Sequence, residues 1–115
     1  MTTIRESYQA LKDINKAMDK MDLAPCTIRA EVRWPSHWPC NRTSSLSDFE
    51  RFVEEKVDNK EIKDYILKNL DNINITWTKE YDYEESVIKG QSDYISTNIN
   101  GHSVCFEITL EYNIV

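Results

Sequence analysis

The chain reads as a single α+β domain with a mostly antiparallel sheet of about four strands and helices on one face, in the order α-β-α-α-β-β-β. Three observations predict this. Residues 102–114 alternate without a break: Val104, Phe106, Ile108, Leu110, Tyr112 and Ile114 on one side, Cys105, Glu107, Thr109, Glu111 and Asn113 on the other. Successive side chains of a strand point to opposite faces, so this strand has one apolar and one polar face. Just ahead of it stands Asn100-Gly101, whose two residues tolerate the positive φ of a type I′ hairpin turn. That turn sets Ile99 opposite His102, Thr97 opposite Val104 and Ile95 opposite Phe106, so the third and fourth strands agree on their buried side. Finally, residues 3–21 and 46–70 repeat apolar side chains at spacings of three and four, which supplies helices to cover the sheet.

The elements follow in order. Thr3 with Glu6 three residues later is a capping box, opening a first helix over 3–21. Its stripe is Ile4, Tyr8, Leu11, Ile14, Met18 and Met21. Residues 26–34 alternate Cys26, Ile28, Ala30, Val32 and Trp34 with Thr27, Arg29, Glu31 and Arg33, a half-buried strand ended by Pro35. Residues 35–45 are expected as a loop, holding Trp38-Pro39 beside Trp34-Pro35. Ser47 and Glu50 form a second capping box, starting a helix with Leu46, Phe49, Phe52, Val53 and Val57 on its apolar face. The next set, Ile62, Tyr65, Ile66 and Leu70, lies well round a straight helix from the first, so a break or kink is expected near Asp58-Asn59. Residues 73–83 alternate Ile73, Ile75, Trp77, Tyr81 and Tyr83 with Asn74, Thr76, Thr78, Glu80 and Asp82. Lys79 interrupts the apolar side, which predicts a bulge there or a strand running past the core. Residues 84–90 read as a connection or an extended arm anchored by Val87 and Ile88. Residues 94–99 complete the hairpin with the last strand.

Composition bounds the function. The 115 residues suit one domain, and 40% hydrophobic with 30% charged residues permits a packed core. A net charge of −6 argues against general affinity for nucleic acid or anionic membranes. No apolar run approaches the length of a membrane span, and the start of the chain shows no signal-peptide pattern. Cys26, Cys40 and Cys105 are too few, and odd in number, for a disulfide framework. Together these predict an intracellular, cytoplasmic setting. Two glycines, Gly90 and Gly101, are too few for a phosphate cradle or a dinucleotide fingerprint.

Candidates for chemistry are weak. His37 precedes Cys40 by three residues and His102 precedes Cys105 by three, a set that in principle makes a tetrahedral zinc site. In a regular strand residues three apart diverge, so His102 and Cys105 face opposite sides. No motif surrounds either Cys-His pair as a nucleophile would need. The carboxylates Glu80, Asp82, Glu84, Glu85, Glu107 and Glu111 are expected to lie solvated on an open sheet face. No catalytic residue, cofactor or metal is therefore assigned, and a non-enzymatic protein is expected.

Surfaces remain. Trp38, held stiff by Pro39, is expected either as an exposed interface anchor, with His37 and Arg42 as neighbours, or folded back to close the core end. Glu80, Asp82, Tyr94, Glu107 and Glu111 complete the expected partner-binding set, a carboxylate-rich face for a basic protein partner, such as one that handles nucleic acid. In size, acidity and glycine poverty the chain resembles small inhibitors and immunity-type proteins, some virus-encoded, that occlude another macromolecule; no shared motif carries the likeness. Two alternatives stand beside this reading. One is an apolar ligand pocket between sheet and helices, lined by Trp77, Tyr81, Tyr83, Phe106 and Tyr112. The other is a homo-oligomer subunit that uses the edge strand or the outer face.

Overall fold

The computed structural model describes residues 2–82, 85–99 and 102–113. In chain order the elements are β1 (Thr2–Thr3), α1 (Ile4–Lys20), β2 (Thr27–Arg33), β3 (Cys40–Thr43), α2 (Leu46–Lys56), α3 (Lys60–Lys68), β4 (Asn74–Asp82), β5 (Glu85–Gln91), β6 (Ile95–Ile99) and β7 (His102–Asn113). They form a single α+β domain of three helices and a seven-stranded antiparallel sheet in the order β1-β4-β5-β7-β2-β3, with β6 also on β7.

The helices start where local chemistry allows. Thr3 Oγ1 accepts from the Glu6 N–H and the Glu6 carboxylate accepts from the Thr3 N–H, the expected capping box. The second helix starts earlier than Ser47. Its N-cap is Ser45, whose hydroxyl accepts from the Asp48 N–H at 3.2 Å. Ser44 adds a second lock: its N–H and hydroxyl both donate to Asp48 Oδ2, at 3.0 and 2.6 Å. Those bonds, the hydroxyl's first, hold the Asp48 carboxyl below its ordinary range. The expected break falls between Lys56 and Lys60, and Asn59 caps α3, its side chain accepting from the Ile62 N–H.

β7 is the strand around which the sheet is laid out. One edge pairs with β2 from Thr27↔Asn113 to Arg33↔Glu107. The other pairs with β5 at Lys89↔Glu111 through Gln91↔Thr109, and then with β6 at Ile95↔Phe106 through Ile99↔His102. The hairpin register is the expected one, while the Asn100-Gly101 turn lies outside the described residues. Between the two ladders residues 92–94 stand opposite only Glu107 and Ile108, so the β5–β6 edge carries a one-residue bulge. Ser92 holds it: its N–H donates to the Ile108 carbonyl (2.9 Å) and its buried Oγ accepts from the Ile108 N–H (2.8 Å).

Three strands were not anticipated by the four-strand expectation. β1 is two residues long. β3 lies in the stretch read as a loop, and β5 in the stretch read as a connection or arm. Both lack a clean alternation, because β3 is an edge strand with Cys40, Asn41 and Arg42 exposed, while beyond Lys89 β5 pairs only with β4 among the described residues. The β4–β5 register runs unbroken from Thr76↔Gln91 to Asp82↔Glu85, so there is no bulge at Lys79; the ribbon runs on past the core. The molecule is accordingly elongated, 52 × 31 × 25 Å. β5, the bulge and β6 together extend roughly 50 Å at ~3.3 Å per residue.

All three helices cover one face. Fully buried there are Ile4 and Leu11 of α1, Phe49 and Val53 of α2, Ile62 and Ile66 of α3, and Ile28, Val32, Phe106, Ile108 and Leu110 of the sheet. Each such side chain contributes about 1.5–3 kcal/mol, as an upper figure. Two polar chains pin α1 to this layer. Thr43 donates its hydroxyl to the Ile28 carbonyl (2.7 Å), so the Tyr8 phenol donates to Thr43 Oγ1 (2.6 Å), and burial holds that phenol far above its ordinary range. Trp77 Nε1 donates to Ser7 Oγ (3.1 Å), which donates to the Thr3 carbonyl (2.8 Å). No buried side-chain polar atom among the described residues is without a partner.

Two predictions follow from this packing. Gly90 sits across from Trp77, and a Cβ there would lie 2.5 Å from Ile75 Cγ2 and 2.8 Å from the Trp77 ring. Gly90→Ala is expected to destabilise the fold by about 1–3 kcal/mol, read as a lowered urea midpoint. Asp48 is depressed in the folded chain, so its contribution is full above its unfolded value of about 3.9 and is lost as pH falls through the lower folded value. Asp48→Asn should therefore cost about 0.5–1 kcal/mol at pH 7, and the difference from wild type should vanish in denaturation curves near pH 2.

Candidate functional site: the outer face of the sheet

The side of the sheet away from the helices carries the alternate residues of each strand. On β2 these are Thr27, Arg29, Glu31 and Arg33; on β7 Ser103, Cys105, Glu107, Thr109, Glu111 and Asn113. β3 adds Cys40 and Arg42, opposite Glu31 and Arg29. β5 adds Lys89 and Gln91, opposite Glu111 and Thr109.

The Trp-Pro segment belongs to this face, which a loop reading could not show. Trp34 and His37 exchange both backbone hydrogen bonds at 2.9 Å, and the Val32 N–H reaches the Pro39 carbonyl at 3.1 Å. These bonds extend the β2–β3 register unbroken to the tip. Pro35 and Ser36 form a two-residue turn, with Ser36 at φ 65°, the pattern of a type II turn with proline first. In that register Trp38 stands across from Arg33, on the outer side. It is 62% exposed, whereas Trp34, one strand-face away, is 7% exposed and forms part of the core. His37 does not join Trp38. Its ring stands edge-on to Trp34, with centroids 5.2 Å apart at 85°.

The bulge places a second aromatic at the same level. Asp93 and Tyr94 share the bulge position opposite Glu107 and both are exposed, Tyr94 at 74%. Glu107, Arg33 and Trp38 stand in one row across the outer face, and Tyr94 stands at its β5–β6 end. At ~4.8 Å between strands the row spans roughly 14 Å.

Among the described side chains, this face carries both signs of charge. Glu31 and Glu107 are only 12% and 13% exposed in their side chains. Arg33 reaches both, at 3.3 Å to Glu31 and 3.8 Å to Glu107, and Arg29 reaches Glu31 at 3.3 Å. Glu111 stands in register between Arg29 of β2 and Lys89 of β5. Among the described side chains of this face, Arg29, Arg33, Arg42 and Lys89 stand beside Glu31, Glu107 and Glu111, with Arg29 and Arg42 as cross-strand neighbours. Composition could not reveal this, because the pairing is cross-strand and depends on β2 lying beside β7. Of the expected partner-binding set, Trp38, Arg42, Tyr94, Glu107 and Glu111 come together here. His37 is turned to the core end, and the side chains of Glu80 and Asp82 fall outside the described residues. Sequence reasoning missed Arg29, Glu31 and Arg33 as site residues, although their dense charge on one strand was visible.

The other candidates separate. Cys40 Sγ lies 3.2 Å from an Arg29 guanidinium nitrogen, Cys105 is exposed, and Cys26 is buried. His102's side chain is not among the described ones. No group of three or more His, Cys, Asp or Glu side chains converges as a metal site among the described residues. Of the residues expected to line a pocket, Phe106 is fully buried against Tyr65, with ring centroids 5.8 Å apart, and the partly buried Trp77 and Tyr112 lie 4.9 Å apart. Tyr83 lies outside the described residues, as does the Tyr81 side chain. An open groove of about 660 Å³ runs elsewhere, between α1 and the start of α2, past Arg5, Lys12, Lys16 and Leu46. Arg5 is held by Asp71 at 2.6 Å, and Asp48 already takes the Ser44 donors at the α2 end. No described helix is long and apolar enough to cross a membrane. No protein-family model, curated protein or solved structure matches the chain.

The two tryptophans differ in a measurable way. Trp34→Ala is expected to cost about 3–5 kcal/mol of stability, and Trp38→Ala within about 0.5 kcal/mol of nothing, by chemical denaturation.

Proposed function

We propose that the protein is a non-enzymatic binding module that docks another protein on the outer face of its sheet and so occludes or regulates it. The supporting observation is the row Tyr94, Glu107, Arg33 and Trp38. Two large aromatics stand exposed at its ends, on a sheet face that no described element covers. Exposed tryptophan and tyrosine on stiff backbone lose little entropy on binding and carry much of the energy of an interface. The arginine and glutamate between them are already oriented by their cross-strand pairing, so they offer a fixed polar pattern for selectivity. A purely basic partner, as net charge alone suggests, is the weaker match to this face, because its carboxylates already face arginine. A partner of mixed charge with apolar notches fits it better.

The test is capture on immobilised wild-type and variant protein, at low and moderate salt. A specific partner retained by wild type should be lost at least tenfold with Trp38→Ala/Tyr94→Ala and unaffected by Lys12→Ala/Lys16→Ala on the opposite side. Equal retention by both variants would refute the assignment of this face.

A further inference from the structure

We infer that the partner this face accepts is a second copy of the same chain, packed face to face about a two-fold axis that runs along the strands between Glu107 and Arg33. This rests on reading the outer face as a protein-docking surface, and it goes further by naming the occupant. The argument is the order of the row. A two-fold axis lying in the interface reverses Tyr94–Glu107–Arg33–Trp38 when the copy is laid over it. Tyr94 then meets the copy's Trp38, and Glu107 meets the copy's Arg33. The same rotation makes both contacts a second time, as an isologous interface requires.

Neighbouring rows agree. One pair further along β7, Thr109 meets the copy's Glu31, and beyond it Glu111 meets the copy's Arg29. Lys89 meets the copy's Arg42, a like-charge contact, but it falls on the outermost strands of the face, where both long side chains reach water. Two twisted sheets that pack face to face lie aligned at about −30°. Sideways pairing at β3 is the poorer route. There the outward N–H of Arg42 is already taken by Asn41 Oδ1 at 3.0 Å.

Sedimentation equilibrium over a concentration series tests this. Wild type should show a reversible monomer–dimer equilibrium. Trp38→Ala/Tyr94→Ala should raise the dissociation constant at least tenfold. Arg33→Glu alone and Glu107→Arg alone should each do the same, because like charges then face each other across the axis. An equimolar mixture of these two variants should associate at least tenfold more tightly than either by itself, since every reversed charge meets its opposite. The double variant Arg33→Glu/Glu107→Arg keeps the pair within one chain and should dimerise as wild type does, which separates a lost interface from a lost fold.

A wild-type chain that stays monomeric up to about 1 mM overturns the inference. So does a mixture no tighter than its components, or a dimer indifferent to Trp38 and Tyr94. If a different protein is captured through Trp38 and Tyr94 while the chain stays monomeric, the second copy is excluded and the docking face stands. If a dimer forms that ignores those two residues, both readings fail.

Discussion

β7 has hydrogen-bonded neighbours along both of its edges and buries Phe106, Ile108 and Leu110 on a single face. That combination governs the rest. A strand paired on both sides cannot slide by one residue without turning its whole apolar set to water. Its register therefore dictates the register of β2, β5 and β6, and through them where β3 and β4 lie. The helices respond to the apolar side that results: α1, α2 and α3 all lie over it, and the polar chains from Tyr8 and Ser7 lock the angle at which α1 rests. The opposite side of the same strands is left as a patterned surface, and its pattern is a by-product of the pairing.

How much of this was readable beforehand follows from the same physics. α1, its capping box, the break before α3, the first strand and the last hairpin were legible because each has one dry and one wet side, and that difference is written as periodicity. β3 was not, because an edge strand with Cys40, Asn41 and Arg42 all exposed carries no contrast, and β5 was not, because its half-buried Val87, Ile88 and Lys89 do not alternate. Asn41 faces the helix side of the sheet in register with Ala30 and is nevertheless exposed. The Ser45 cap went unread because three serines, Ser44, Ser45 and Ser47, all suit the position, and only the Asp48 contacts choose among them.

The candidate face shows the same division. Glu107 and Glu111 on the outer side could be named from alternation alone, whereas the exposure of Trp38, in a stretch read as a loop, could not. Nor could the surroundings of the two glutamates. Whether a glutamate is an open charge or one member of a cross-strand pair depends on the neighbouring strand, and adjacency of β2 and β7 joins segments far apart in the chain. Arg33 is the clearest case: it lies beside Glu107 only because two ladders agree. Net charge is a property of the whole chain, and the described side chains of this face carry a different balance.

The edge at β3 has a consequence for what the molecule can become. A sheet whose rim accepts strands has no natural end, and its growth product is a fibre. At β3 the Asn41 amide oxygen holds the outward N–H of Arg42, one of the donors that an added strand would need.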